Sequence, residues 1–476
     1  MKNKNADGNY SIVNGSISLI AEKGEIHSSA MYMATGDITL KAGHSITNKN
    51  GILSTEGNVL IYTLGLQNAD GTYSDVGNLT NNAQLAALKG SVILYTHGDL
   101  INNNHVLAKE GLVTIVAGNE ILNGIGTGGE VCSIHGNKGV YLVAGNKLTN
   151  NQNLYANDGD VVVYGTGTFD GKGTQFGTHI GGGWVINNGS LYTNNGNVLI
   201  EIDSTTTDSE GYNLKNSGNM YAGHGEIHLE SVHASVYNVD DFQNDFLNPT
   251  TAEASGSIAL LAEKGSIVNN ISLHAGMGIT IHSKTNIDNT AYTLTSDSGN
   301  VELVSNAGHV VNSSTVGTGA GSVIMHGKLA VTNSGDIYAT GGDIILESDT
   351  SDVTYANTHN YGGSYTDGGI RLLAEQGAVN VNTALHAQKD IEMRATNLTL
   401  DGGQNITSEQ GDIILMAKET LAIGKEGGTS KIALTANDGD VSVQGNVVMI
   451  YELGSIVALH NEQSNKLSGR VTKHRR

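Results

Sequence analysis

Apolar residues in this chain take alternate positions after a turn residue, and the pattern keeps returning. Residues 15–26 read GSISLIAEKGEI and residues 256–267 read GSIALLAEKGSI, with nine letters of twelve in common; a looser echo, GIRLLAEQGAV, stands at 369–379. With the turn residue as position zero, apolar side chains stand at +2 and +4: Gly15/Ile17/Leu19, Gly36/Ile38/Leu40, Gly57/Val59/Ile61, Gly90/Val92/Leu94. The series continues at Gly111, Lys138, Gly159, Gly196, Gly225, Gly256, Met277, Gly299, Gly321, Gly342, Gly368, Lys389, Gly411 and Gly439. That makes eighteen starts; ten of the seventeen gaps are 21 or 22 residues, and the other seven run from 26 to 37.

A two-residue alternation is a strand with one buried face. A fixed period of about 20 residues makes each unit one turn of a solenoid. No unit can bury its apolar face alone, so Ile17 must stack on Ile38, and Ile38 on Val59. With strands about 4.8 Å apart, eighteen coils predict a rod of roughly 80–90 Å. The expected fold class is all-β, a parallel β-helix of coils of roughly 21 residues with inserted loops.

Asparagine strengthens the register. It recurs 11 to 13 residues after a start, behind an apolar residue or two, at Asn48, Asn102, Asn123, Asn150, Asn269, Asn312 and Asn333. Asparagine tolerates left-handed turns, and its amide can hydrogen-bond the equivalent amide one coil above. A turn ladder is therefore expected here, not a binding site. The Leu/Asn spacing of leucine-rich repeats and the 3.6-residue period of helical repeats are both absent.

This reading divides the chain into an irregular lead-in at 1–14, a β-helix over 15–460 and a basic tail at 461–476. Longer gaps imply insertions near 65–89, 124–138, 165–195, 203–224, 231–255, 348–368 and 418–438. Insertions cost a stack little, because closure entropy grows slowly with loop length.

Composition agrees with many short strands. There are 64 Gly and one Pro, with 38% apolar and only 15% charged residues, which is not the balance of a disordered chain. The net charge of −21 argues against a nucleic-acid partner. Cys132 is the single cysteine, so no intrachain disulfide forms. No run approaches the length of a membrane span, and no apolar stretch follows Met1-Lys-Asn-Lys-Asn, so membrane insertion is not expected and any export signal is expected outside this chain.

Large aromatics are concentrated in the insertions. Phe169, Phe176 and Trp184 fall in the span 165–195; Phe242 and Phe246 fall in 231–255, beside Pro249. Tyr355, Tyr361 and Tyr365 fall in 348–368. Rings of this kind either pin a loop to the coils or meet a partner such as a protein or a sugar face. Phe169, Phe176, Trp184, Phe242, Phe246 and Tyr361 are the candidate contact residues.

Catalytic and metal readings fare worse. Asp170-Gly171-Lys172-Gly173 and Gly223-His224-Gly225 resemble short strings of polygalacturonases, but such enzymes need carboxylates converging on one bond. Asp240-Asp241 follows the second string where that family has its acids before it. In HGEIHLESVH, His224, Glu226, His228 and Glu230 share one strand face. His224 and His228 would stand roughly 13 Å apart, too far for one ion. No catalytic residue, metal or cofactor is expected, and the chain is read as a non-enzyme.

GDITLKAGHSITNKNGILSTEGNVLI (36–61) and GSVILYTHGDLINNNHVLAKEGLVTI (90–115) resemble the repeats of filamentous haemagglutinin-type exoproteins, the large adhesins of two-partner secretion in Gram-negative bacteria. The shared grammar is Gly-Asp/Ser/Asn-Ile/Val-x-Leu, then Ala-Gly or Ala-Glu-Lys-Gly, then Ile-x-Asn, over roughly 15–460. The resemblance implies a right-handed parallel β-helix in a secreted or cell-surface fibre. Its implied role is attachment to a host-cell or bacterial surface receptor or glycan, with an outer-membrane secretion partner. The family's NPNG, NPNL and RGD strings do not occur, and no functional residue transfers. A polysaccharide-degrading β-helix enzyme and a passive stalk displaying another domain are the alternative readings.

Overall fold

Five-residue stretches such as Ile38–Ala42 alternate buried and outward side chains, and each forms the first strand of a coil. A corner leads to a short second strand, Ile46–Asn48, and another corner to a third, Ile52–Ser54. Each strand pairs in parallel and in register with its equivalent in the next coil: Ile38 with Val59, Ile46 with Leu79, Ile52 with Leu85. In that coil the inward side chains of all three strands are buried, so the core is a set of columns, apolar at most positions and polar at Asn48 and Ser54. The protein is an all-β parallel β-helix.

The computed structural model describes the whole chain except residues 1–11, 68–72, 125–132, 166–182, 240–250, 291–292, 357–363, 403, 425–430, 452, 459–465 and 474–476. Asp170–Gly173, Asp240-Asp241, Cys132 and five of the six candidate contact residues (Phe169, Phe176, Phe242, Phe246 and Tyr361) lie outside the described residues. No described residue is helical.

Two compact units divide the chain, Met1–Gly256 and Ser257–Arg476. The first holds nine first strands, from Ile17–Ala21 to Ile227–Ser231, each in register with the next. The second holds nine more, from Ser257–Ala262 to Val441–Ile450. All eighteen starts read from the alternation begin one of these strands. Late in the second unit the first corner flattens, and Ile391–Leu400, Ile413–Ile423 and Val441–Ile450 run through it with a register shift.

The turn grammar has a steric and a polar cause. A Cβ on Gly90 would come within 2.2 Å of the Gly57 carbonyl oxygen, and one on Gly342 within 2.4 Å of Gly321 O. Coils meet there backbone to backbone, which favours glycine at this position in fifteen of the eighteen coils, with Lys138, Met277 and Lys389 in the others. At the following position the side chain accepts the backbone N–H of the next coil. Asp37 Oδ1 accepts from Asn58 N at 2.7 Å, Asn58 Oδ1 from Ser91 N at 2.8 Å, and Ser91 Oγ from Leu112 N at 3.1 Å. Asp390 and Asp412 continue the device in the second unit. Asp, Asn and Ser recur after the glycine because each has a short side chain ending in an acceptor.

The asparagines form the expected ladder, and it is longer than expected. In the first unit each Nδ2 donates to the Oδ1 of the next member: Asn48, Asn81, Asn102, Asn123, Asn150, Asn187, Asn216 and Asn238, at 2.7–2.8 Å. In the second unit Asn269, Asn289, Asn312 and Asn333 do the same. The other amide N–H commonly donates to the carbonyl two residues on, as Asn150 does to Gln152 O. That carbonyl can only accept, which fixes which way those amides face. The second-unit run stops at Tyr355, the register partner of Asn333, a fully buried tyrosine that hydrogen-bonds Ser364.

Insertions leave from two corners. Between first and second strands the extra sequence falls within 65–76, 166–182 and 203–211, all in the first unit. Between second and third strands it departs after Asn123, Asn238, Tyr355 and Ile423. Each span read from the sequence as an insertion therefore also contains ordinary coil. Val185–Asn187 and Leu191–Thr193 fall inside 165–195, and Ser235–Asn238 and Thr251–Ala254 inside 231–255. The expected lead-in and tail are likewise partly coil. Val13 bridges to Ala34, and Lys466–Lys473 pairs in parallel with Val441–Ile450, giving that strand's open edge a partner.

Candidate functional site

Inward positions are spent on stacking, so any contact chemistry must come from the outward positions and the corners. Trp184 is the candidate contact residue that falls within the described structure. It belongs to a coil, immediately before the second strand Val185–Asn187, and its carbonyl accepts from Leu148 N at 3.0 Å. Lys147, at the same place in the preceding coil, sets its ammonium 5.2 Å from the indole centroid. The indole is half-buried, which is the geometry of a packed cation–π pair.

The two phenylalanine-bearing spans are not brought to one corner. The chain leaves for 166–182 after the first strand Val161–Gly165, and for 240–250 after the second strand Ser235–Asn238.

The third strands carry the densest outward aromatic row. His135, Tyr155, Tyr192 and Tyr221 are register partners in consecutive coils. The rings of Tyr155 and Tyr192 stack at 4.8 Å and 6°, and those of Tyr192 and Tyr221 at 4.7 Å and 10°; His135 meets Tyr155 edge-on at 4.6 Å. The Tyr192 hydroxyl donates to Asn194 Oδ1 at 2.7 Å, and Asn194 Nδ2 donates to Asn157 Oδ1 at 2.7 Å. Burial pushes the His135 imidazole below its ordinary range, so the row is uncharged near neutral pH. Tyr338 and Tyr365 repeat the motif in the second unit, with His386 beside Tyr365 at 5.4 Å. Sequence periodicity missed these rows because a three-residue strand shows one outward residue, too few to read as alternation.

Acidic and histidine side chains gather on the outer face of late first-unit coils. Glu201 and Glu230 are register partners, and His228 Nε2 lies 2.7 Å from Glu230 Oε2. Burial, and then the neighbouring Glu230, hold the Glu201 carboxyl above its usual range. His233 pairs with Asp203 at 2.9 Å. The strand Ile227–Ser231 turns His228 and Glu230 outward as the sequence predicted. Among the described residues no group of three or more His, Cys, Asp or Glu is arranged to hold a metal ion. In the second unit a groove of about 630 Å³ lies over Leu373, Met416 and Ala417. Its Arg394 pairs with Glu392, and its Lys418 donates to the Glu375 carbonyl at 2.6 Å.

These features define a parallel β-helical repeat protein. Compared with known protein families, characterised proteins and solved structures, the chain matches none. No helix among the described residues is long and apolar enough to cross a membrane.

Proposed function

We propose that this chain is an adhesive segment of a secreted or cell-surface fibre, a binding protein and not a catalyst. It attaches to a receptor or glycan on host or neighbouring cells through its insertions and outward aromatic rows. The observation that carries the reading is the continuity of the coils across the excursions. Val161 stays in register with Val198, and Asn150 bonds Asn187 at 2.7 Å, although 17 residues of sequence, 166–182, intervene between the first strand and the coil residues Gly183 and Trp184. A scaffold that keeps its ladders closed beneath an excursion can display variable segments without losing its core. The repeat grammar it shares with filamentous haemagglutinin-type exoproteins points the same way, and with it to export through an outer-membrane partner.

The test is binding of the purified chain to a panel of epithelial and bacterial cells, matrix proteins and glycans, beside a variant lacking 166–182 and 240–250. Saturable binding that falls in the trimmed variant, with an unchanged circular dichroism spectrum, supports adhesion through the excursions. Equal binding by both moves the contact to the coil faces. Binding by neither overturns the proposal in favour of a passive stalk.

A further inference from the structure

The first strands of the first unit present a second outward surface, apart from the aromatic third-strand row. Each first strand turns two side chains away from the core, and of those in the columns below only Val116 is buried. One column runs Lys41, Tyr62, Tyr95, Val116, Val143, Tyr164 and Glu201 through seven consecutive coils in register. Beside it runs Thr39, Leu60, Ile93, Thr114, Tyr141, Val162 and Leu199 through the same coils. Between its two ends the face is uncharged, in a chain of net charge −21. Lys41 closes one end and Glu201 the other. Both side chains lack a hydrogen bond or ion pair among the described residues, and Glu201 is half-buried.

A half-buried carboxylate crowded by Glu230 and Asp203, with only the His228 imidazole to offset them, is costly, and an apolar face this regular is unusual on a chain that meets only water. The face is also self-complementary. A two-fold axis running along the strands through Thr114 and Val116 sets coil against coil in reverse order. Lys41 then meets Glu201 of a second copy at both ends, Tyr62 meets Tyr164, Leu60 meets Val162, and Ile93 meets Tyr141. An isologous contact requires such a palindrome of apolar centre and opposite charges.

We infer that this face is the contact surface for a second copy of the chain, packed sheet on sheet in antiparallel coil order. Five-residue strands over six coil steps span roughly 17 Å by 29 Å. That is about 500 Å² per copy and about 1,000 Å² in all, the lower bound for a specific interface. The dimer is therefore weak and concentration-dependent, suited to lateral association of fibres held side by side. The inference does not depend on the adhesive role, which the cell-binding panel tests separately.

Sedimentation velocity on the full chain, from about 1 to about 200 μM at low salt, reads the association directly. A monomer–dimer equilibrium is expected. Thr114→Arg, which sets two cations on the axis, should leave a monomer with unchanged circular dichroism. Lys41→Glu should weaken the dimer about tenfold, and adding Glu201→Lys should restore it. A zero-length carbodiimide cross-link should join Lys41 of one copy to Glu201 of another, distinguished by mixing isotopically labelled and unlabelled chains. A monomer at every concentration overturns the inference, as does a dimer indifferent to Thr114→Arg and to the charge reversal. Cross-links from this face to 166–182 of the same chain overturn it in favour of an internal cover. Binding to uncharged phosphatidylcholine vesicles that Thr114→Arg abolishes, with no dimer, overturns it in favour of a lipid surface.

Discussion

Asn48 donates its Nδ2 proton to Oδ1 of Asn81 at 2.8 Å, across 33 residues of sequence, while its own Oδ1 is buried with no donor. The register partner one coil below is Ser28, whose hydroxyl turns instead to the Ala30 carbonyl. The ladder begins one rung late. Ser28→Asn should supply the missing donor and stabilise the first unit by about 1 kcal/mol. Asn150→Ala, which removes a rung bonded on both sides, should cost about 3 kcal/mol by orphaning buried neighbours. Chemical denaturation of the two variants checks both signs.

Glycine at the Gly90 turn is held there by close contact with the preceding coil. Gly90→Ala would force a Cβ to within 2.2 Å of the Gly57 carbonyl oxygen, and a loss of about 2 kcal/mol or more is expected. Gly24 meets nothing within 4 Å of the same added atom, so Gly24→Ala should stay within about 0.5 kcal/mol of the parent. Equal melting of the two variants would remove the steric account of the repeat.

Ile258 is fully buried in the second unit, in register with Ile279. Ile258→Asp places an unpaired carboxylate in an apolar column and should cost about 4 kcal/mol or more. An unchanged melting curve would contradict the register of the stack.

Glu201 gives the chain a pH dependence of definite sign. Its folded pKa is raised, first by burial and then by Glu230, so the folded state holds this proton more tightly than the unfolded chain does. The stability it contributes is complete below the ordinary carboxyl range and is lost as pH rises through the raised value. In dilute solution Glu201→Gln should therefore melt higher than the parent at pH 7, with the advantage fading toward about pH 4. A constant difference across that range would exclude ionisation as the cause.

The alternation at +2 and +4 was enough to place every first strand, because a five-residue strand with two buried positions leaves a readable mark. The asparagine ladder was legible only where the spacing was undisturbed. Asn81, Asn187 and Asn216 follow excursions at the first corner, which shift them from their usual distance after the glycine. Asn238 and Asn289 stand behind Tyr237 and Asp288, which blur the apolar approach. Which corner an insertion leaves from was not readable, because sequence length records only that residues are extra. Trp184 misled for the same reason: it sits at the end of a long gap, and its place opposite Lys147 is visible only once the coils are superposed.

The one-way amide ladder also gives the stack two chemically different ends. Every rung reaches toward the coil that follows it in sequence, so a stack growing from its N-terminal end always finishes on an amide N–H awaiting an acceptor. The next coil to arrive brings that acceptor with its own asparagine and leaves a fresh donor behind. Built in the opposite sense, the stack would always finish on an amide oxygen awaiting a donor. The ladder therefore offers an added coil an N–H donor at one end and a bare oxygen at the other, so the two ends of the stack are not interchangeable.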